Sequence, residues 1–342
     1  MNEFESIPSI LLPTSSFRLH PLVSVMPRDL DAHRSPPRGD GQSPAPGAPP
    51  RPADPDARWT VGRLLVWTTD FLKRRGAESP RLDAEVLLAR VLEWERVRLY
   101  THYEHEVDEG ARGAFRELVR RRAEGTPVAY LVGRKEFYSL PLTVTPAVLI
   151  PRPDSEFVVV EFLAVARTLA SPRVVDVGTG SGCLALACAQ HHPSARFIAI
   201  DISPEALAVA ETNARALGLL ARVDFREGNL LDRVADEGPF DVILSNPPYI
   251  TTADVATLEP GVRLFEPHRA LDGGEDGLRV VAPLIEQSVP LLRPGGHLIL
   301  EIGSDQEGPV RDLIAAQAGL ELAPTVRDHA NHPRVIRATR RP

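Results

Sequence analysis

Asn246-Pro247-Pro248-Tyr249 puts a primary amide, two imino acids and an aromatic ring directly after the apolar run FDVILS. Two consecutive prolines fix φ and remove two backbone donors, so the segment presents rigid carbonyls that can only accept. A planar NH2 group has its lone pair delocalised and is a poor nucleophile. The Asn246 side-chain oxygen and the Pro247 carbonyl can accept its two protons, while Tyr249 stacks on its π face. Electron density then returns to nitrogen, and the proton released after group transfer has an acceptor at hand. An isolated N-P-P-Y can also be no more than a rigid turn. Its position in the chain decides between the two.

A second constellation starts at Asp176 and runs through Gly178-Thr179-Gly180-Ser181-Gly182 between an apolar strand-like run, RVVDV, and a helical pattern. Three glycines let the backbone turn tightly and approach a ligand closely. The spacing is not the dinucleotide G-x-G-x-x-G, and such a turn can be a mere connection. The next strand-like run, however, ends in Asp201, where a carboxylate can accept hydrogen bonds from both ribose hydroxyls of a nucleoside. Helix capping is the bland alternative for Asp201, but Ser203-Pro204-Glu205 already supplies a cap and a first-turn proline. The pair points to a nucleoside-containing cofactor.

Both constellations need one sheet edge. From Pro172 onward short β-branched runs (RVVDV, ARFIAI, RVDF, FDVILS, HLILEI) alternate with helical stretches such as SGCLALACAQ and SPEALAVAETNARAL. That alternation implies a mostly parallel sheet covered on both faces, which binds ligands at the carboxyl ends of its strands. Upstream, the period predicts helices carrying Val61 to Leu72 on one face between the N-cap Thr60 and the stop Gly76, from Pro80 to Leu92 after Ser79, and from Asp108 to Ala123. Arg112, Arg116 and Arg120 share one face of the third, either a solvated face or a docking surface. Phe137 to Ile150 reads as a short hairpin, and Asp154 as the cap of the helix that follows. Eight prolines in the twenty residues from Pro36 to Pro55 mark residues 1 to 57 as a disordered, proline-rich extension, with Met26 as an alternative start.

Composition removes other classes. Among 342 residues, 39 Lys and Arg against 46 Asp and Glu leave a net charge of −7, which disfavours a free-standing DNA binder. Cys183 and Cys188, the only cysteines, lie in one helical stretch and read as small buried hydrophobes in a reducing compartment. His102/His105 and His329/His332 lack further ligands at metal spacing, so no metal is expected. No apolar run is long enough to span a bilayer, and a cytoplasmic, monomeric protein is expected.

The motifs DVGTGSG, Asp201 and NPPYI resemble those of class I S-adenosylmethionine-dependent methyltransferases acting on planar amino or amide nitrogens. The flanks Pro127-x-Ala129-Tyr130-Leu131-x-Gly133-x-x-Glu136-Phe137, Val148-Leu149-Ile150-Pro151-Arg152-Pro153-Asp154-Ser155-Glu156, Gly273-Gly274-x-Asp276-Gly277 and Glu301-Ile302-Gly303 are similar to the HemK/PrmC family, the peptide chain release factor glutamine methyltransferases. Ser79-Pro80-Arg81-Leu82-Asp83-Ala84-Glu85 is similar to that family's N-terminal domain, and the resemblance spans roughly residues 59 to 340.

The resemblance implies an α/β fold, a Rossmann-like class I methyltransferase with a seven-stranded, mostly parallel sheet and helices on both faces. It implies a helical substrate-docking domain over 58–126, a hairpin linker over 127–153 and a methyltransferase domain over 154–342. The cofactor would be S-adenosyl-L-methionine. Asp176 and Gly178 to Gly182 would serve its methionine part, Asp201 its ribose, and Asn229 and Leu230 its adenine, with Asn246 also at the cofactor. Asn246, Pro247, Pro248 and Tyr249 would hold the amide of the Gly-Gly-Gln glutamine of a release factor, with Phe137 and Arg152 lining the substrate pocket. Two departures stand out: Asn229 where the family often has Asp, and Asn331 where a glycine is common. A ribosomal-protein glutamine and the exocyclic amino group of adenine in nucleic acid remain alternative targets.

Overall fold

The computed structural model describes residues 58–342, so the proline-rich segment expected over 1–57 lies outside the described residues. Helices Val61–Arg74, Pro80–Leu92 and Glu109–Ala123 form as the periodicity predicts. Thr60 accepts from Arg63 N at 3.4 Å and Asp108 from Ala111 N at 2.9 Å, each satisfying one orphan amide of a first turn. Ser79 makes no such bond, and the proline at the first helical position sets that start instead. Val61, Leu65, Leu87, Leu88, Leu99 and Phe115 fill a core between these helices. Two short helices, Arg96–Thr101 and Val128–Val132, add to the expected three.

The linking hairpin is shorter and earlier than its alternating pattern suggests. Strands β1 (Arg134–Phe137) and β2 (Leu140–Thr143) pair antiparallel with Phe137 opposite Leu140, and residues 144–150 carry no strand. Tyr138 and Ser139 both take positive φ, 47° and 62°, as a two-residue hairpin turn with native twist requires. Neither is a glycine or asparagine, which is why the turn is hard to see in the sequence. Asp154 does not cap the next helix. Pro153–Ser155 forms a 3-10 turn, and Asp154 pairs with Arg334 at 3.1 Å.

The main sheet comprises β3 (Arg173–Val177), β4 (Arg196–Asp201), β5 (Val223–Glu227), β6 (Phe240–Ser245), β7 (Leu292–Glu301), β8 (Leu320–Leu322), β9 (Val326–Arg327) and β10 (Pro333–Arg340). Seven strands run in the order β5-β4-β3-β6-β7-β10-β8, and the two-residue β9 pairs off β10. Strands β3 to β7 are parallel neighbours, whereas β10 runs antiparallel to β7, β8 and β9. The two faces of the sheet carry separate cores, one around Phe162, Phe197 and Leu186 and one around Phe240, Ile243 and Leu298, as a sheet covered on both sides requires. Strand order reverses at β3, so a crevice opens past its carboxyl end.

Candidate functional site

The glycine turn follows β3 into the Cys183–His191 helix, and Gly178, Gly180 and Gly182 all have positive φ (70°, 56° and 80°). A Cβ on Gly178 would meet nothing within 4 Å, so that position faces open space. At Gly182 a Cβ would come within 3.0 Å of Leu186 and 3.2 Å of Ala210, so this glycine serves helix packing. Asp176 lies beneath the turn, fully buried, with Oδ2 accepting from Thr179 Oγ1 at 2.7 Å and Ala185 N at 3.1 Å. Burial pushes its carboxyl up to about 7, against the pull of those two donors. Asp201 closes the turn from the neighbouring strand: its carboxylate accepts from Gly180 N at 2.8 Å and Ser203 N at 2.9 Å. Burial raises its proton affinity too. A carboxylate has about four acceptor positions, so two stay open for a ligand.

Asn246 to Tyr249 leave β6 at the same sheet edge. Asn246 Nδ2 donates to Ser155 Oγ at 3.0 Å, which leaves Oδ1 as the free end of the amide. Among the described residues no hydrogen bond reaches the Pro247 carbonyl. The loop is held from behind by Gln306, whose Nε2 donates to the Tyr249 and Gly277 carbonyls, each at 3.1 Å, and whose Oε1 accepts from Gly303 N at 3.0 Å. A Cβ on Gly277 would lie 2.4 Å from the Tyr249 carbonyl oxygen, and one on Gly273 2.8 Å from that of Pro248. Only glycines let these two segments approach so closely.

A cavity of about 290 Å³ joins the two constellations. Gly178, Thr179, Gly180, Ser181, Asp201, Asn229 and Leu230 line it together with Asn246, Pro247, Pro248, Arg152 and Ser155. Arg152 is fixed by Glu266, which accepts from its Nη2 at 2.7 Å and from Ile150 N at 3.1 Å while being almost fully buried. The hairpin is tied to the glycine turn through buried Asn213, which donates to the Thr143 and Ser181 carbonyls and accepts from Thr143 N.

With this geometry in view, residues 63–133 match the model of the PrmC N-terminal domain and residues 155–266 that of the methyltransferase small domain. A release factor glutamine methyltransferase of Rhodopirellula baltica is 44% identical over 285 residues, spanning 82% of this chain and 96% of the relative. One from Moorella thermoacetica is 46% identical over 282 residues, spanning 82% and 99%. The chain belongs to the release factor glutamine methyltransferase family. Among solved structures, a ribosomal protein L11 methylase from Lactobacillus delbrueckii subsp. bulgaricus aligns with a TM-score of 0.42 at 23% identity, covering 58% of this chain and 84% of that one.

Within this family member, four of the residues singled out from the sequence stand away from the cavity wall. Asp176 and Gly182 support the turn from below. Phe137, expected to line the substrate pocket, does not line this cavity: it is 1% exposed, packed in the core with Leu142 and Phe162, because alternate residues of β1 point inward. Tyr249 is absent from the wall as well; burial chiefly raises its phenol's proton affinity, with Glu301 adding to the rise and Arg334 opposing it. Sequence reasoning missed the roles of Glu266, Asn213, Gln306, Ser155 and Glu301. For Ser155, Glu266 and Glu301 a polar residue inside an apolar or proline-flanked run was the available signal; Asn213 and Gln306 stand among other polar residues and gave none.

Arg112, Arg116 and Arg120 do share a face, but Glu109 pairs with Arg112, and Glu117 and Glu124 both clasp Arg120. His102 and His105 pack their rings against Trp94, and His329 packs against Phe157. Among the described residues no cluster of three or more His, Cys, Asp or Glu could hold a metal, and no helix is long and apolar enough to cross a membrane. Asn331 has φ 65°, the left-handed region that asparagine tolerates better than other non-glycine residues.

Proposed function

We propose that this chain transfers the methyl group of S-adenosylmethionine to the side-chain amide nitrogen of the glutamine in the Gly-Gly-Gln motif of a peptide chain release factor. The observation that carries this reading is the pairing of a free Asn246 Oδ1 with an unpartnered Pro247 carbonyl on the wall that also holds the glycine turn and Asp201. The residues fit the cofactor. Gly178 leaves room for close approach, buried Ser181 Oγ has no hydrogen-bond partner among the described residues, and the Asp201 carboxylate has open acceptor positions for ribose hydroxyls. Asn229 and Leu230, on the same wall, would face its adenine; Leu230 has φ 54°.

When bound, the cofactor supplies a methyl group on a sulfonium, open to direct displacement. The protein needs no nucleophile of its own. Asn246 Oδ1 and the Pro247 carbonyl accept the two amide protons of the substrate, turn its nitrogen lone pair toward the methyl group and stabilise the positive charge that develops on nitrogen. The transfer would form the N–C bond as the S–C bond breaks, with S-adenosylhomocysteine as the leaving group, and the methylated nitrogen then loses one of its two protons to solvent water. Arg152, locked by Glu266, sits at the mouth shared with the cleft below the helical domain. Residues 58–126 act as the docking domain for the folded factor, 127–153 as the linker and 154–342 as the catalytic domain.

The test is mass spectrometry of a release factor co-expressed with this chain. Its Gly-Gly-Gln peptide should gain the mass of one methyl group, located on the glutamine by fragmentation. An unmodified peptide, or a methyl group elsewhere, would overturn the assignment. A ribosomal-protein or nucleic-acid target would appear in the same cells as methylation of that molecule and not of the factor.

A further inference from the structure

An amide side chain is useful as an acceptor only if its oxygen, and not its NH2, faces the substrate. Asn246 could present either end, since the two differ little in shape. Its Nδ2 is engaged by Ser155 Oγ at 3.0 Å, and Ser155 is itself 1% exposed, inside the 3-10 turn before the Glu156–Ala166 helix. A serine hydroxyl that accepts from Nδ2 still carries one proton and must place it elsewhere. Glu301, at the carboxyl end of β7, is the group set to take it: it is 1% exposed, its Oε2 has no hydrogen-bond partner among the described residues, and Ser155 and Tyr249 are near enough to hold its proton affinity down.

The protonation state of Glu301 can set the polarity of this chain. As a carboxylate it can only accept, so Ser155 donates to it and accepts from Asn246, and Oδ1 is left for the substrate. A protonated Glu301 can donate to Ser155, whose own proton then goes to Asn246 Oδ1, turning NH2 against the substrate NH2. We propose that Ser155, backed by the Glu301 carboxylate, is a positioning residue for methyl transfer, setting which end of the Asn246 amide faces the glutamine. The inference rests on the reading of Asn246 as the acceptor of the substrate amide.

Glu301 titrates where this matters. Burial pushes its carboxyl up to about 7; Asp154 adds to the rise, whereas Ser155, Arg334 and Tyr249 oppose it. Arg334 is shared with Asp154 at 3.1 Å and Asp328 at 2.9 Å, and the Cys183 thiol, also near, is pushed up to about 12 and stays neutral. The relay should therefore reverse as pH falls through about 7, with the carboxylate form active above it.

The test uses the full chain and an intact release factor. We would measure kcat and KM between about pH 6 and 9 for the wild type, Ser155→Ala, Glu301→Gln and Asn246→Ala, with S-adenosylhomocysteine affinity by calorimetry as the check on folding. Ser155→Ala should lower kcat by about tenfold or more at high pH, with KM and cofactor affinity within a few-fold. Wild-type kcat should fall by about tenfold per pH unit well below 7, and that acid limb should vanish in Glu301→Gln, which cannot titrate. A wild-type kcat in Ser155→Ala, or an acid limb that survives in Glu301→Gln, would overturn the proposal. If Ser155→Ala loses cofactor binding, the Glu301→Gln profile decides alone. Near-normal turnover in Asn246→Ala would instead remove the acceptor reading itself, so the two failures are distinguishable.

Discussion

Asp176→Asn should make the folded chain more stable at pH 8, by an amount that shrinks to a constant offset at low pH. The carboxyl is fully buried, and its proton affinity rises from the ordinary 3.8 to about 7. Between those values the folded state holds a proton that the unfolded state has released, so stability present below about pH 4 is lost as pH rises through about 7. Roughly three decades in proton affinity correspond to about 4 kcal/mol, fully developed above pH 7. Asparagine has no such proton. Its Oδ1 can keep both bonds now made by Oδ2, from Thr179 Oγ1 and Ala185 N, and its Nδ2 replaces an Oδ1 that has no partner already. Glu301 titrates in the same range but is common to both proteins, so it cancels in the difference. Urea denaturation without cofactor at about pH 5, 6, 7 and 8 would read the gap directly. It should widen by about 1.4 kcal/mol per pH unit and level off above 7. A gap independent of pH, or one that narrows as pH rises, would refute the reasoning.

Asn246→Ala should keep cofactor affinity within several-fold yet lower turnover by about 100-fold or more, because the lost acceptor matters most as charge develops on nitrogen; steady-state kinetics would tell. Asp201→Ala should weaken S-adenosylhomocysteine binding by about 1.5 to 3 kcal/mol, and unchanged affinity by calorimetry would remove the ribose assignment. Changing Arg112, Arg116 and Arg120 together to alanine should leave activity on a whole release factor near normal, since Glu109, Glu117 and Glu124 already neutralise that face; a clear rise in KM would restore it as a docking surface. Short Gly-Gly-Gln peptides should have much lower kcat/KM than the intact factor, because remote contacts supply much of the binding energy, and equal values would defeat that expectation. A chain beginning at residue 58 should retain melting temperature and rate, as a proline-rich segment without apolar periodicity adds no core; a large drop in either would count against it.

The main elements were legible because local patterns agree with the tertiary arrangement. RVVDV and FDVILS are short, mostly apolar, β-branched runs of the kind that a strand buried on both faces demands, and they became adjacent parallel strands. Ser203 and Pro204 signalled the start of the Pro204–Ala216 helix in types and spacing, and Ser203 Oγ accepts from Ala206 N at 3.3 Å. The cavity wall was equally readable at Gly178, Gly180, Asp201 and Asn246, since turn glycines and strand-end polar residues are local signals of a carboxyl sheet edge. The antiparallel β10 was harder to place: PRVIRATR interleaves arginines with apolar residues, and nothing local says which strand it will join.

What the chain alone determined, then, is which residue types stand at the ends of which strands. Their partners came only from the tertiary structure. Ser155 meets Asn246 across 91 positions and Arg152 meets Glu266 across 114, so no window along the sequence contains both members of either pair. Tyr138-Ser139 turns the hairpin at positive φ without a glycine, since β1 and β2 are docked on the body and Asn213 grips Thr143. Phe137 reads like a pocket residue in a motif and is buried by the same docking. Buried carboxylates such as Asp176, Glu266 and Glu301 depend most on the fold, because their protonation and their partners are set by desolvation and long-range contacts, which exist only once the chain has closed around them.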